Sequence, residues 1–171
     1  MKIAYLGPPG SYSEEAVKNW DSTAELIPVD SIHAVAKCVS DGKVDHGMVP
    51  IENSIEGGVT STLDLLIHDF DLSISGESVL TIKHCLMGQT NLDMSKITKI
   101  FSHPQSLGQC RNFLNTILPS VELIASLSNS RAVEEMMNGK DNTIAAIASE
   151  RAANIYKAQI IKRDIQDNLN N

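Results

Sequence analysis

Four times along this chain a short apolar run breaks into a turn rich in hydroxyl and amide side chains, and a helical pattern follows at once. Residues 3–6 run into 7–13, residues 47–51 into 52–60, residues 97–101 into 102–105, and residues 121–125 into 128–130. Strands joined through helices lie parallel, because only a tight hairpin reverses the chain at once. The alternation therefore predicts an α/β architecture. In open parallel sheets, ligands sit at the C-terminal ends of the strands. All four polar turns fall at such ends and are the candidate ligand-holding corners.

Local signals fill in the elements. Ser11 opens the first helix with Glu14 as its capping-box partner, and Glu14 and Glu15 suit the positive end of the helix dipole. Residues 26–29 predict a strand. Ile32, Val35, Ala36 and Val39 recur at helical spacing between Ser31 and Gly42. Ser61 and Asp64 are expected as a cap pair for a helix carrying Leu63, Leu66 and Ile67. Residues 72–86 read as strand-rich, with Gly76 as a bend, and lead toward a second lobe. There Ser102 and Gln105 predict another capping box ahead of an apolar face of Leu107, Cys110, Phe113 and Leu114. Residues 128–130 open a helix that stops at Gly139, residues 143–148 predict a small-residue strand, and Ser149-Glu150 opens a last helix. Residues 163–171 are too polar to be expected in a core. The expected division is 1–76 as first lobe, 77–158 as second lobe, and 159–171 returning toward the first.

Composition narrows the function classes. The 171 residues are 42% hydrophobic and 20% charged, enough for a core in one domain or two small lobes. A net charge of -7 disfavours a nucleic-acid partner. It leaves an anionic ligand open, since backbone N–H groups at a helix start can hold an anion. Cys38, Cys85 and Cys110 form no CxxC pair and predict buried free thiols. The first apolar run is too short for a signal peptide, and none reaches the roughly 20 residues that span a membrane, so a cytoplasmic protein is expected. Gly7-Pro8-Pro9-Gly10 has neither the dinucleotide fingerprint nor the Gly-Lys-Ser/Thr of a phosphate loop.

His33, His46, His68, His84 and His103 show no metal-ligand spacing, so no metal is expected. His103 is the one histidine worth testing for proton transfer, and it reads equally well as a packed residue at a helix start. Cys110 has no partnered base in view. Glu52 and Glu56 lie in a loop that fixes no distance between them, which leaves a glycosidase pair unsupported. The remaining candidate donors are Ser11, Asn53, Ser54, Ser102, Gln105, Ser128 and Asn129. Hydroxyls and amides beside helix starts suit carboxylates or carbonyls.

Several segments together resemble the catalytic domain of the prephenate dehydratase family. They are Tyr5-Leu6-Gly7-Pro8-Pro9-Gly10-Ser11-Tyr12-Ser13, Val49-Pro50-Ile51-Glu52-Asn53-Ser54-Ile55-Glu56-Gly57-Gly58-Val59, Ser102-His103-Pro104-Gln105-Ser106-Leu107-Gly108-Gln109-Cys110, and Ala146-Ile147-Ala148-Ser149 with Ala152-Ala153. The closing Asp164-Ile165-Gln166-Asp167-Asn168-Leu169-Asn170-Asn171 also fits, so the likeness runs over residues 3–171. The resemblance implies a two-lobed periplasmic-binding-protein-like (type II) fold with the active site in the inter-lobe cleft. It implies a lyase of phenylalanine biosynthesis that turns prephenate into phenylpyruvate with loss of water and carbon dioxide, without metal or organic cofactor. Aromatisation drives that reaction. The enzyme must protonate the leaving hydroxyl and hold two carboxylates.

Carried over by position, Asn53 and Ser54 would hydrogen-bond the substrate, and Ser11 stands where the family usually has threonine. Ser102, Gln105, Ser128 and Asn129 would add donors from the second lobe. The family's Thr-Arg-Phe, with its main catalytic threonine, would follow Asn171. No catalytic residue is therefore assigned within the chain, and little or no turnover is expected of these 171 residues alone. The resemblance also implies a phenylalanine-binding ACT domain in the full-length protein, and a homo-oligomer, with neither nucleic acid nor membrane as partner. The competing class is a cytoplasmic small-acid binding or sensing protein of the same fold, which product formation from prephenate would distinguish.

Overall fold

The computed structural model describes residues 1–55 and 57–168. The chain forms two compact units that divide at Thr81 and Ile82.

In the first unit, β1 (Lys2–Leu6), β2 (Glu25–Val29) and β3 (His46–Met48) form a parallel sheet in the order β2-β1-β3. Helix α1 (Tyr12–Trp20) joins the first two strands, and α2 (Ile32–Ser40) joins the second and third. Side chains alternate across a strand, so β1 serves two cores. Ile3 and Tyr5 pack with Val17 of α1 on one face, and Ala4 packs with Val35 of α2 on the other. A strand buried on both faces reads as the near-continuous apolar run seen in the sequence. Gly47 lets α2 approach β3, because a Cβ there would stand 2.6 Å from Val35 Cγ1.

The third strand is shorter than expected. It ends at Met48, and a two-residue antiparallel hairpin follows, β4 (Glu52–Asn53) with β5 (Gly57–Gly58). The next helix, α3 (Thr60–Asp64), continues as a π-helical turn at Leu65–Asp69. The expected Ser61–Asp64 cap pair is not formed: the N-cap is Val59, with no side-chain cap bond. Residues 70–84 contain no strand, which corrects the strand-rich reading of 72–86. Ile74 and Val79 there are 73% and 88% exposed, so their apolar spacing has nothing to pack upon. Gly76 lies against Trp20, whose ring atoms leave no room for a side chain.

The second unit is a five-stranded mixed sheet. In chain order its strands are β6 (Cys85–Gly88), β7 (Lys99–Ser102), β8 (Glu122–Ala125), β9 (Ile144–Ala148) and β10 (Gln159–Lys162), arranged β10-β6-β9-β7-β8. Strands β7, β8 and β9 are parallel, whereas β6 runs antiparallel to both β9 and β10. Helices α4 (Pro104–Gln109) and α5 (Arg111–Ile117) follow β7; α6 (Asn129–Asn138) follows β8, and α7 (Glu150–Tyr156) follows β9. Leu86, Ile100, Ala145 and Ile147 pack with Cys110 and Leu114 in one core layer. Cys85, Met87, Ala146 and Ala148 pack with Ala132, Val133, Met136, Ala152 and Ala153 in the other. The small side chains of β9 admit α6 closely. Burying a side chain such as Ile147 contributes on the order of 2 kcal/mol.

The tail departs most from expectation. Ile165 is 3% exposed and joins the first of those layers, and Gln166 is buried as well. Strand β10 pairs with β6, so residues 159–168 belong with the second unit rather than returning to the first. Leu169, Asn170 and Asn171, and Glu56 of the polar loop, lie outside the described residues. Among the described residues no helix is long and apolar enough to cross a membrane.

Candidate functional site

In the first unit, β1 and β3 are parallel neighbours, with Tyr5 opposite Met48. The turn after β1 and the hairpin after β3 therefore leave the same edge of one sheet. Ser11 caps α1 as its sequence promised. Its hydroxyl donates to the Leu6 carbonyl at 3.0 Å and accepts the Glu14 N–H at 3.3 Å. Glu14 closes the box one residue earlier than usual, accepting the Gly10 N–H. The Ser11 hydroxyl is thus occupied at both ends. What the corner can offer a ligand lies at the positive end of α1, where first-turn backbone N–H groups such as that of Ser13 have no intrahelical acceptor.

Asn53 is half-buried and forms an Asx turn, its Oδ1 accepting the Ile55 N–H at 2.9 Å. Ser54 is exposed at the tip of the hairpin. The loop is anchored at its base, where Val59 N–H donates to Ile51 O at 2.8 Å and the buried Thr62 hydroxyl donates to Pro50 O at 2.6 Å.

In the second unit, parallel pairing of β8, β7 and β9 puts three helix starts at one sheet edge. Ser102 and Asn129 are brought together there. The Ser102 hydroxyl lies 2.7 Å from the Ile147 carbonyl and 3.0 Å from Asn129 Oδ1. Its single proton serves one of them at a time. Asn129 Oδ1 also accepts the His103 N–H at 3.2 Å. With its carbonyl end held, Asn129 offers its NH2 end to an acceptor. Ser128 caps α6, accepting the Arg131 N–H at 3.1 Å. The Arg131 guanidinium turns along the helix to Glu134 at 3.0 Å and Glu135 at 3.2 Å.

The capping box expected of Ser102 and Gln105 is replaced. Ser102 is buried beneath the corner, and His103 is the N-cap, its Nδ1 accepting the Gln105 N–H at 3.3 Å. That bond gives Nδ1 of the ring a capping role. The half-buried Gln105 stands in the first turn of α4, behind Pro104.

Sequence reasoning missed Gln109. It ends α4 where the helix breaks at Cys110, and its Oε1 lies 2.8 Å from Nε2 of the buried His84. Its backbone carbonyl accepts the Asp167 N–H at 2.7 Å. The signal was a second glutamine one helical turn after Gln105, but its partners come from distant parts of the chain. A separate groove of about 410 Å³ beside α4, α5 and β8 is lined by Leu107, Arg111, Leu114 and Leu123. It contains none of the candidate donors and is mainly apolar.

With this geometry in hand, comparison with known proteins is informative. The prephenate dehydratase family profile matches residues 3–171. A prephenate dehydratase of Lactococcus lactis subsp. lactis is 40% identical over 98% of this chain and 59% of its own length. A bifunctional chorismate mutase/prephenate dehydratase of Neisseria gonorrhoeae is 39% identical over 100% of this chain and 47% of its own length. The chain thus spans about half to three-fifths of the length of these curated relatives. Among solved structures, a prephenate dehydratase of Arthrobacter aurescens in complex with L-Phe superposes with a TM-score of 0.93 at 29% identity, covering 100% of this chain and 57% of that one. An ABC transporter structure from Parabacteroides distasonis reaches a TM-score of 0.51 at 16% identity over 96% of this chain and 59% of its own. It shows that the two chains share a related α/β fold.

Proposed function

The chain belongs to the prephenate dehydratase family, and from that premise we propose that it supplies the prephenate site of an enzyme forming phenylpyruvate. The observation that carries the reading is the second-unit corner, where Ser102 and Asn129 are locked together at the start of α6 and the amide NH2 is left for an acceptor. Prephenate carries two carboxylates, and N–H donors at helix starts hold such groups. One carboxylate must leave as carbon dioxide while the ring hydroxyl leaves as water. The electron pair of the breaking C–C bond enters the ring, the C–O bond breaks, and the hydroxyl takes up a proton. Neutral donors hold the departing carboxylate without strongly stabilising the charge that must disappear, which a bare cation would do. Arg131, the cation nearest in sequence, is neutralised by Glu134 and Glu135.

Ser11, Asn53 and Ser54 of the first unit and Ser102, Gln105, Ser128 and Asn129 of the second, as the substrate-binding donors, are part of this proposal. So are a cytoplasmic setting, a homo-oligomer and a phenylalanine-sensing domain elsewhere in the protein. The test is phenylpyruvate formation from prephenate by this chain continued through the family's Thr-Arg-Phe, alongside the 171 residues alone. We expect product from the continued chain and a large loss in its Asn129→Ala variant. Prephenate bound but never converted would favour the acid-binding class, and an Asn129→Ala variant of full activity would remove the corner from the mechanism.

A further inference from the structure

His84 immediately precedes β6 at 1% exposure, a buried imidazole that the mechanism above does not use. We infer that His84 is a positioning residue: its Nε2–H holds the amide oxygen of Gln109, so that the NH2 end is what Gln109 presents to a ligand. The two atoms stand 2.8 Å apart. Burial pushes the imidazole below its ordinary range, against the opposing pull of the Gln109 bond, so the ring is neutral at pH 7.

The pair is fixed by a closed circuit of hydrogen bonds. His84 N–H donates to Gln166 Oε1 at 2.9 Å, Ile165 N–H donates to His84 O at 3.0 Å, and Asp167 N–H donates to Gln109 O at 2.7 Å. The tail therefore holds the backbones of His84 and Gln109 in place, and the ring–amide bond is what orients the two side chains. The same polarity recurs in the candidate corners, where no flip is at issue because backbone N–H groups do the holding. Asn53 Oδ1 accepts from Ile55, and Asn129 Oδ1 accepts from His103. An amide whose carbonyl end is tied down turns its NH2 end outward, the polarity that suits a carboxylate. The opposite flip of Gln109 would present an oxygen and repel them. The ligand consequence rests on the dehydratase reading, whereas the orientation of Gln109 does not.

Nitrogen-15 NMR of the 171-residue chain at neutral pH tests the orientation. The inference expects a neutral His84 ring with a slowly exchanging proton on Nε2 and a Gln109 NH2 group without protection. A ring protonated on Nδ1 alone, with one Gln109 amide proton protected, overturns it. Phenylpyruvate titration of His84→Leu and His84→Gln tests the consequence. Affinity falls about tenfold in His84→Leu, which has no donor, and stays within about threefold in His84→Gln, which restores one near the Nε2 position. Equal behaviour of the two variants overturns the positioning role, because a role in packing alone would not follow the donor. If the unmodified chain binds no phenylpyruvate, the dehydratase reading fails, and ring tautomer and amide exchange still decide the inference.

Discussion

The Cys110 thiol is fully buried, and burial, then the nearby Asp167 carboxylate and Cys85, push it up to about 12. Burial, followed by the Glu150 charge, also raises Cys85. A thiol reacts as its thiolate. At pH 8, maleimide is therefore expected to label the half-buried Cys38 in the native protein, and Cys85 and Cys110 only after urea unfolding. Fast native labelling of Cys110 would contradict the packing of that core.

Linkage gives two opposite signs. Cys110 ionises later in the folded state than its usual 9.0, so its contribution to stability is complete below pH 9 and falls as pH rises above it. His84 protonates below its usual 6.5 when folded, so its contribution is complete above pH 6.5 and falls as acid protonates the unfolded chain first. Urea midpoints should decline on both sides of that window. His84→Gln should remove part of the acid limb, and Cys110→Ser part of the alkaline one. An unaltered acid limb in His84→Gln would show that this imidazole is not buried neutral.

At the scale of elements, α5 has an unusual start. Its N-cap, Cys110, offers no side-chain acceptor. The tail supplies one instead, since Asp167 Oδ1 and Oδ2 accept the Asn112 N–H at 3.1 and 3.2 Å. Deleting a helix cap costs about 1 kcal/mol, so Asp167→Ala should lower Tm by roughly 2–4 °C, with Asp167→Asn closer to the parent. A calorimetric scan showing no change in Asp167→Ala would dismiss the capping role.

This cap also shows where sequence reading stops. Ser11 was legible as a cap, and Ser31, Ser128 and Ser149 as residues at helix openings, because their partners lie three residues ahead. The continuous apolar run of β1 and the helical spacing of α2 were legible for the same local reason. The cap from Asp167 to α5, the burial of Ile165 in a polar tail and the His84–Gln109 bond join residues far apart in the chain. Nothing in a local window marks them. Residues 72–84 failed in the other direction, with strand-like composition but no strand formed.

For the whole molecule, each unit carries its own core and sets its polar turns at the C-terminal edge of parallel strands. Of the seven candidate donors, Ser102 and Asn129 are brought into one corner with Ser128 at its helix start. Ser11 is consumed by capping, and Asn53 and Ser54 sit on a small hairpin at the other unit's edge. The family match is to prephenate dehydratases, and the proposed binding of a dicarboxylate would use the neutral N–H donors at these helix starts. The most direct test is a chemical-shift map of the nitrogen-15 labelled chain titrated with phenylpyruvate. The account predicts saturable shifts at the amides of Tyr12 and Ser13 in the first unit and of His103, Gln105, Asn129 and Ser130 in the second. Saturable shifts confined to the apolar groove around Leu107, Arg111 and Leu123, or no shifts at all, would contradict it.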